Sequence, residues 1–504
     1  MEGERVPWKA ILAIDQGTTG SRAVVFDEEG NVRARAYKEI RQLFPHPGWV
    51  EHDPKEYVSS VKECVFAVLD RCGEDLHIEG VGITNQRETT IAWDKQTGEP
   101  ICNAIVWQCR RTAPYCERLI AQGASATVLD KTGLPIDAYF SATKIRWILD
   151  NIPEAQSLVA QGRLAVGNVD SWLMWNLSGG RIHATDVSNA SRTMLFNIYT
   201  REWDSDLLDL LDIPADILPS VYGSSHVFGE VSREWGALAG TPISGVAGDQ
   251  QAALFGQTCF EAGMVKNTYG TALAVMMNTG ANPVRSKSGL TTDLAWSVNG
   301  STEYSLEGVV FIGGAAVQWL RDGLKIIKDA SETEALARAV DDTGGVYFVP
   351  AFVGLCAPYW DMYARGTIVG LTRGTTAQHL ARATLESIAY QTRDCVDAMA
   401  RDLGQPVRSL RVDGGATKNE FLMQFQADIL GIPVERAANM EMAAQGAAYL
   451  AGLASGVWKS RQEISRLWKC DKVFQPTMSE SRREELYSGW QRAVGRAREW
   501  APKS

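Results

Sequence analysis

The feature that most constrains the fold is a repeated pattern of strand, Gly-Thr turn and second strand. The first copy spans residues 9–27 and turns at Gly17-Thr18-Thr19, and the second spans residues 263–277 and turns at Gly270-Thr271. Similar patterns in the two halves of a chain indicate duplication of one structural unit. We therefore predict two related domains.

The length of the chain supports the same division. Its 504 residues exceed what one ordinary hydrophobic core accommodates. A boundary near residues 252–262 gives an N-terminal domain of residues 1–255 and a C-terminal domain of residues 256–504. Strand-like and helical runs alternate throughout, which predicts an α/β fold.

The order of apolar runs and turn residues also predicts individual helices and strands. Asp53-Pro54 is typical of a helix start, with Asp as the N-cap. We expect the last forty or so residues to be helical. The other predicted elements are strands at 9–15, 23–27, 32–40, 81–84, 104–107 and 410–412, and helices at 376–403, 420–430 and 443–455.

Composition excludes several classes of protein. The formal net charge of −10 argues against a broad basic surface for nucleic acid. No run approaches the roughly 18 apolar residues of a membrane span. The nine cysteines lack C-x-x-C pairs and no secretory signal is recognisable, so we expect reduced thiols in the cytoplasm.

We also expect a homo-oligomer, either a dimer or a tetramer.

The first Gly-Thr turn has the chemistry of a phosphate site. The backbone N–H groups of a turn containing Gly17 and Gly20 can approach an anion, and Thr18 and Thr19 add hydroxyl donors. Asp15 at the strand end suits Mg²⁺, and Arg22 could neutralise developing phosphoryl charge. A plain hairpin with a surface Asp is the alternative. The chain has no P-loop motif, so a nucleotide must be held in another way.

The C-terminal half carries three further glycine-rich turns. Thr271 lies in the second Gly-Thr turn, and a hairpin on each side of a cleft could clamp a triphosphate. Gly414-Gly415 joins a strand to a helix, where bare backbone and a helix N-terminus can meet a ligand. A tight structural turn is the alternative. Gly313-Gly314, before Gln318, has a similar but less specific character.

A separate group of side chains suits an alcohol acceptor. An Arg-Glu pair can grip adjacent hydroxyls, with Arg donating and Glu accepting. Asp249 is a candidate general base for a hydroxyl proton. Each residue has a structural alternative as a surface ion pair or a core aromatic. The candidates are Arg87, Glu88, Trp107, Tyr139, Asp249 and Gln250.

These residues lie in segments that resemble the glycerol kinases of the FGGY carbohydrate kinase family. The resemblance runs from about residue 9 to residue 490, nearly the whole chain. Two segments, 139–147 and 366–386, are similar to signatures of the wider family. The segments most similar to glycerol kinases are 15–22, 82–90, 104–111, 248–257, 266–271, 357–361 and 411–416.

The resemblance implies a fold, a reaction and a set of roles. It implies two ribonuclease-H-like domains, as in actin and hexokinase, with ATP and a polyol held between them. The reaction implied is ATP-dependent phosphorylation of glycerol, with Asp249 as the base and Mg²⁺ near Asp15 and Asp249. Glycerol would contact the six acceptor candidates named above. The implied nucleotide-site residues are Thr18, Thr19, Gly20, Arg22, Thr271, Gly314, Gln318, Gly415 and Asn419.

Two departures from the glycerol kinase pattern affect this interpretation. The second turn continues as Gly270-Thr271-Ala272-Leu273-Ala274, where glycerol kinases usually have Gly and Phe in place of the two alanines. The missing Phe leaves a larger polyol or a sugar as an alternative substrate. In many bacterial glycerol kinases a Gly-rich loop binds fructose 1,6-bisphosphate. Residues 233–240 replace that loop here, so we expect fructose 1,6-bisphosphate to inhibit this protein weakly or not at all.

One alternative belongs to another class. Actin and the heat-shock chaperone ATPases share the implied fold and use ATP to drive binding. Such proteins would not need Arg87, Glu88 and Asp249 together, which favours the kinase. Polyol-dependent release of ADP would distinguish the two.

Overall fold

The computed structural model describes residues 8–73 and 75–502. Thirteen strands of these described residues form one sheet. In chain order they are β1 Trp8–Gln16, β2 Gly20–Asp27, β3 Val32–Glu39, β4 Leu76–Asn85, β5 Ser225–Glu230, β6 Pro242–Gly248, β7 Val265–Tyr269, β8 Leu273–Gly280, β9 Thr291–Val298, β10 Ser301–Val310, β11 Leu410–Asp413, β12 Val434–Ala437 and β13 Cys470–Phe474.

The strand order shows the duplication directly. Across the sheet the order is β13-β12-β11-β7-β8-β10-β9-β5-β6-β4-β1-β2-β3. In the N-terminal half, β1, β2 and β3 are antiparallel neighbours, and β4 and β6 continue parallel to β1. In the C-terminal half, β7, β8 and β10 repeat the antiparallel set, and β11 and β12 continue parallel to β7. This repeated α/β arrangement confirms the predicted fold class.

Helices cover the sheet and connect its strands. They are α1 Pro54–Cys72, α2 Ala113–Ala121, α3 Ser125–Thr132, α4 Ser141–Asn151, α5 Ala155–Ala160, α6 Val169–Leu177, α7 Val187–Ser191, α8 Ser205–Leu211, α9 Asp249–Gly256, α10 Gly314–Asp322, α11 Glu332–Arg338, α12 Ala377–Leu403, α13 Glu420–Leu430, α14 Met442–Ser455, α15 Arg461–Leu467 and α16 Glu480–Ala497. Within the described ranges, no helix combines the length and apolar character needed to span a membrane.

Short strand pairs and 3₁₀ turns complete the architecture. The antiparallel pairs are Glu51–His52 with Ala104–Ile105, Ile91–Asp94 with Leu164–Gly167, Phe196–Asn197 with Glu202–Trp203, and Tyr347–Val349 with Thr367–Val369. Ala184–Asp186 pairs in parallel with Ser220–Tyr222. The 3₁₀ turns are Ala215–Ile217, Arg233–Leu238 and Gly415–Lys418.

Helix starts follow the local chemistry of the sequence. Asp53 caps α1 by accepting a hydrogen bond from Lys55 N at 2.9 Å, with Pro54 in the first turn as predicted. Asn419 caps α13 in the same way, accepting from Leu422 N at 2.9 Å. Thr376 and His379 form a reciprocal capping box at the start of α12.

Two predicted elements were wrong in detail. The last forty residues include β13, which pairs with β12, so they are not only helical. Four of the five residues of β13 are exposed, so this edge strand lacks the apolar alternation that would have revealed it. The strand predicted at 104–107 is only Ala104–Ile105, which pairs with the equally short strand Glu51–His52.

Helix α14 packs the C-terminal half onto the sheet of the N-terminal half. A side chain at Gly82 on β4 or at Gly245 on β6 would lie within 2.3 Å of the α14 backbone. Gly446 of α14 similarly lies against the carbonyl of Ala252 in α9. These close approaches fix α9, and therefore its first residue Asp249, relative to both halves.

Candidate active site

The first Gly-Thr turn joins β1 to β2 and presents a charged pair. Gly17 N donates to Gly20 O at 2.9 Å, which closes the turn. Asp15 and Arg22 are register partners, and Arg22 Nη1 donates to Asp15 Oδ2 at 3.1 Å. Arg22 Nε also lies 3.7 Å from Glu441 Oε2 at the start of α14. Burial raises the pKa of the Asp15 carboxyl, and Arg22 partly opposes that shift.

The second Gly-Thr turn joins β7 to β8 in the equivalent position. Gly270 N donates to Ala272 O at 3.1 Å. The start of α10 docks on this turn, because Gly313 N donates to Thr271 O and Gly314 N donates to Gly270 O, both at 2.9 Å. The predicted pairing of two turns at equivalent strand ends is therefore present.

A cavity of about 450 Å³ lies beside the second turn, in the C-terminal half. All five nucleotide-site candidates of this half line it, namely Thr271, Gly314, Gln318, Gly415 and Asn419. Sequence reasoning missed Ala330, Ser331, Thr333 and Glu334, which line the cavity from the start of α11. They carry no motif and three of the four are polar, so neither the sequence patterns nor the apolar lining expected of a ligand pocket would have suggested them.

Glycine is required where β11 meets this cavity. Gly414 has φ +94°, which other residues rarely adopt, and a Cβ there would lie 2.5 Å from Tyr269 O. The neighbouring Gly415 has open space around its Cβ position. Gly414 is therefore required by the conformation of the turn, whereas Gly415 leaves open space next to the turn.

A second cavity, of about 190 Å³, lies between the two turns. All six acceptor candidates line it, as do Thr18, Gln86, Thr268, Ala272, Leu273, Ala274 and Val309. Gly270 lines both cavities, so the two meet at the second Gly-Thr turn.

The Arg87-Glu88 pair lies on a tight turn after β4. Glu88 has φ +61°, uncommon for a residue with a side chain, and Thr89 N donates across it to Arg87 O at 2.7 Å. The buried ammonium of Lys144 donates to Glu88 O at 3.0 Å, which supports this conformation. Backbone strain of this kind often marks functional positions.

Two aromatic rings form the wall of the smaller cavity. Trp107 and Tyr139 pack edge to face with ring centroids 5.6 Å apart. Trp107 Nε1 donates to Thr18 Oγ1 at 2.8 Å, which joins this wall to the first Gly-Thr turn. The arrangement presents apolar faces to the carbon atoms of a ligand, while the polar edge of Trp107 is held by Thr18.

Asp249 presents a partly exposed carboxylate to the smaller cavity, unlike the fully buried Glu88. It begins α9, its side chain is 31% exposed, and its Oδ1 lies 3.2 Å from Arg87 Nε. Burial raises the pKa of Asp249, while Arg87 and Lys266 oppose the shift. A Cβ at Gly248 would lie 2.6 Å from Arg87 Cδ, so the glycine at this position leaves room for the Arg87 side chain.

A buried ionic cluster behind the smaller cavity was not predicted. Arg87 Nη2 donates to Glu307 Oε1 at 2.6 Å, and Arg192 Nε donates to Glu88 Oε1 at the same distance. Arg192, Asp293 and Glu307 are far from the motif segments in sequence. Only the requirement that buried charges be paired could have suggested partners for Arg87 and Glu88.

Four predicted residues line neither cavity. Asp15, Thr19, Gly20 and Arg22 lie on the first hairpin. Asp15 is nevertheless close enough to Asp249 to raise its pKa. Both side chains offer carboxylate oxygens, the kind of ligand that a hard divalent cation prefers.

The repeated strand order and the two cavities that meet at a Gly-Thr turn place the chain in the two-domain ribonuclease-H-like class. Family models for the N-terminal and C-terminal domains of the FGGY family of carbohydrate kinases match residues 10–256 and 265–455. The chain belongs to this family.

Several proteins similar to this chain are named glycerol kinase. "Glycerol kinase 2" of Thermotoga maritima is 59% identical over 98% of this chain and 99% of its own length. The glycerol kinase of Caldanaerobacter subterraneus is 57% identical, with 98% and 99% of the two chains covered. The crystal structure of Plasmodium falciparum glycerol kinase with ADP superposes with a TM-score of 0.92 at 38% identity, covering 97% of this chain and 98% of that one.

Proposed function

We propose that this protein transfers the γ-phosphoryl group of ATP to glycerol, giving sn-glycerol 3-phosphate and ADP. The observation that carries the proposal is the position of Asp249 in the smaller cavity, which joins the larger cavity at Gly270. A hydroxyl beside Asp249 can therefore meet a phosphate held at the second Gly-Thr turn. Relatives more than half identical over nearly the whole chain and named glycerol kinase support this proposal.

The residues of the smaller cavity bind and orient the polyol. Arg87 donates to its hydroxyls and Glu88 accepts from them, while Trp107 and Tyr139 cover its carbon atoms. Gln250 adds a carboxamide, which itself accepts a hydrogen bond from Lys266 Nζ. Holding the hydroxyl in line with the phosphorus replaces a bimolecular encounter and supplies much of the acceleration.

Asp249 then accepts the proton of the reacting hydroxyl. The hydroxyl oxygen forms a bond to the γ-phosphorus, the bond from that phosphorus to the bridging oxygen breaks, and ADP leaves. Arg22, Thr18, Thr19 and Gly20 of the first turn would face the transferring phosphoryl group, while Thr271 would hold it from the other side. The remaining nucleotide contacts would come from Gly314, Gln318, Gly415 and Asn419.

Asp15 and Asp249 would hold Mg²⁺, and their oxygen donors fit this ion. When bound, Mg²⁺ supplies positive charge that neutralises the phosphate oxygens. In the proposed division of labour, residues 1–255 supply the polyol site and the first hairpin, and residues 256–504 supply the nucleotide site. Closure of the two halves around the substrates would exclude water.

A larger polyol or a sugar remains a second candidate, because Ala274 lines the smaller cavity. We propose to measure ADP release with glycerol, erythritol and xylitol, and to identify the product with a dehydrogenase specific for sn-glycerol 3-phosphate. Glycerol as the best substrate supports the proposal. Preference for a longer polyol favours the second candidate, and ADP release indifferent to every polyol favours an ATP-driven binding protein.

The cellular setting is also proposed. The nine cysteines are free thiols in the described structure, most of them buried. Such thiols suit the reducing cytoplasm. A dimer or tetramer stays a prediction, which sedimentation velocity can measure.

A further inference from the structure

We propose that Arg192 is a positioning residue for the polyol site, holding Arg87, Glu88 and Tyr139 in the arrangement that distinguishes glycerol from simpler diols. This inference rests on the proposed function. Arg192 does not line the smaller cavity, so it would act through residues that do. It lies directly after α7, in a segment without any recognisable motif.

Arg192 contacts two of the polyol candidates directly. Its Nε donates to Glu88 Oε1 at 2.6 Å, which fixes one carboxylate oxygen. Its guanidinium carbon lies 5.5 Å from the centroid of the Tyr139 ring, within the range of a cation–π contact. One guanidinium therefore orients both an acceptor for hydroxyls and an aromatic wall.

Arg192 acts on the third polyol residue, Arg87, through the carboxylate of Glu307, which both arginines share. Arg192 Nη1 lies 2.9 Å from Glu307 Oε2, and Arg87 donates to both oxygens of Glu307, at 2.6 and 3.2 Å. Glu307 thus joins the two guanidinium groups. This two-point contact fixes the plane of the Arg87 guanidinium, whose Nε faces Asp249.

The cluster is too buried for solvent to substitute for any partner. The side chains of Arg87, Glu88, Arg192, Asp293 and Glu307 are at most 3% exposed. Arg192 Nη1 also donates to Asp293 Oδ1 at 2.7 Å. Two guanidinium groups face three carboxylates, and unpaired charge is expensive at this depth. A small displacement of Arg192 would therefore be passed to Glu88 and Arg87.

The cluster also joins the two halves of the chain. Arg87, Glu88 and Arg192 come from the N-terminal half, whereas Asp293 on β9 and Glu307 on β10 come from the C-terminal half. The polyol site is therefore complete only when β9 and β10 dock against the N-terminal half. A rigid supporting shell of this kind is what a site needs in order to hold its contacts accurately.

The test is Arg192→Lys, which keeps the charge but loses the planar fork needed for simultaneous contacts. We expect the KM for glycerol to rise at least about tenfold, since small misplacements in a site cost about 10–100-fold. The KM for ATP should stay within about twofold. The ratio of kcat/KM for glycerol to that for 1,3-propanediol should fall about tenfold, because 1,3-propanediol lacks one of the hydroxyls that Arg87 and Glu88 are proposed to hold.

Arg393→Lys is the matched control. Arg393 is also largely buried, pairs with Asp397 and Glu484, and lies 3.8 Å from the Tyr487 ring centroid, but it is on α12 and away from the cavity. It should leave the glycerol to propanediol ratio unchanged. Asp293→Asn provides a second variant should Arg192→Lys fail to fold. It removes the charge of one carboxylate that pairs with Arg192 and keeps both arginines. We expect it to raise the KM for glycerol about threefold or more.

The proposal is overturned by either of two results. One is a folded variant at position 192 or 293 whose KM for glycerol and polyol selectivity match the unmodified protein. The other is a parallel rise in the KM values for glycerol and ATP, which would indicate general loosening of the fold. Failure of the proposed function is distinguishable, because the unmodified protein would then not phosphorylate glycerol at all.

Discussion

The Nε atom of Arg87 lies 3.2 Å from Oδ1 of Asp249, so the proposed base is also the ion-pair partner of a residue proposed to bind the polyol. Binding and proton transfer therefore depend on the same two side chains. Burial raises the pKa of Asp249 above its ordinary value of 3.8, and the two neighbouring cations oppose that rise.

This balance predicts the pH profile of kcat/KM. Asp249 must be ionised to accept a proton, so activity should fall as the pH drops through its raised pKa. Replacing Lys266 by Met removes one of the opposing cations, so the carboxyl should keep its proton to a higher pH and the acid limb should move upward. Thr268→Val is the control, because it removes a hydrogen-bond partner of Lys266 without removing charge. An acid limb that stays in place or moves downward in Lys266→Met would contradict the account.

Ala274 gives a prediction about substrate size. It lies on β8 with Thr268 and Val309 as its cross-strand neighbours, and it lines the smaller cavity. Ala274→Phe should fill the space that a longer chain would use. We expect kcat/KM for erythritol and xylitol to fall at least about tenfold, since steric exclusion and lost contacts are worth about 1–3 kcal/mol. Glycerol should change by less than about threefold, and an equal loss for all three substrates would refute this.

The two glycines before α13 give a prediction about stability. Gly414→Ala should destabilise the fold by about 1–3 kcal/mol, because of its positive φ and the nearby Tyr269 carbonyl. Gly415→Ala has open space and should leave the unfolding temperature nearly unchanged. Thermal unfolding of the two variants side by side measures the difference. Equal unfolding temperatures would mean that the turn tolerates a side chain at both positions.

Much of the fold could be predicted because its signals are local. Glycine-rich turns, Asp53 as an N-cap and apolar strands such as β1 are encoded by neighbouring residues. The edge strand β13 was missed because its side chains are mostly exposed and show no alternation. Periodicity reports burial, so an exposed strand held by backbone hydrogen bonds leaves little trace in the sequence.

The sequence predicts the residues that we propose to contact ligands but not those that support them. Arg87, Glu88 and Asp249 occur in segments that resemble those of glycerol kinases. Arg192 and Glu307 carry no such signal, because only the packing of distant segments in the folded chain, including that of α7 against β9, brings them together. Pairing of buried charges is a property of the folded state.

The proposed metal site predicts the behaviour of Asp15. Asp15→Asn removes one of two carboxylates assigned to Mg²⁺, so the Mg²⁺ concentration at half-maximal rate should rise at least about tenfold. Asp27→Asn is a control on the same hairpin, since Asp27 is also buried but accepts from Asn31 N at the far end of β2. Equal Mg²⁺ dependence in both variants would remove Asp15 from the metal site.

The most direct test of the account is the rate of glycerol-dependent ADP release by Asp249→Asn. The variant keeps the size of the side chain and loses the base, so we expect kcat to fall at least about a hundredfold while ADP still binds. Calorimetric titration with ADP checks that the nucleotide site is intact. A variant with kcat near that of the unmodified protein would contradict the central claim that Asp249 takes the proton from glycerol.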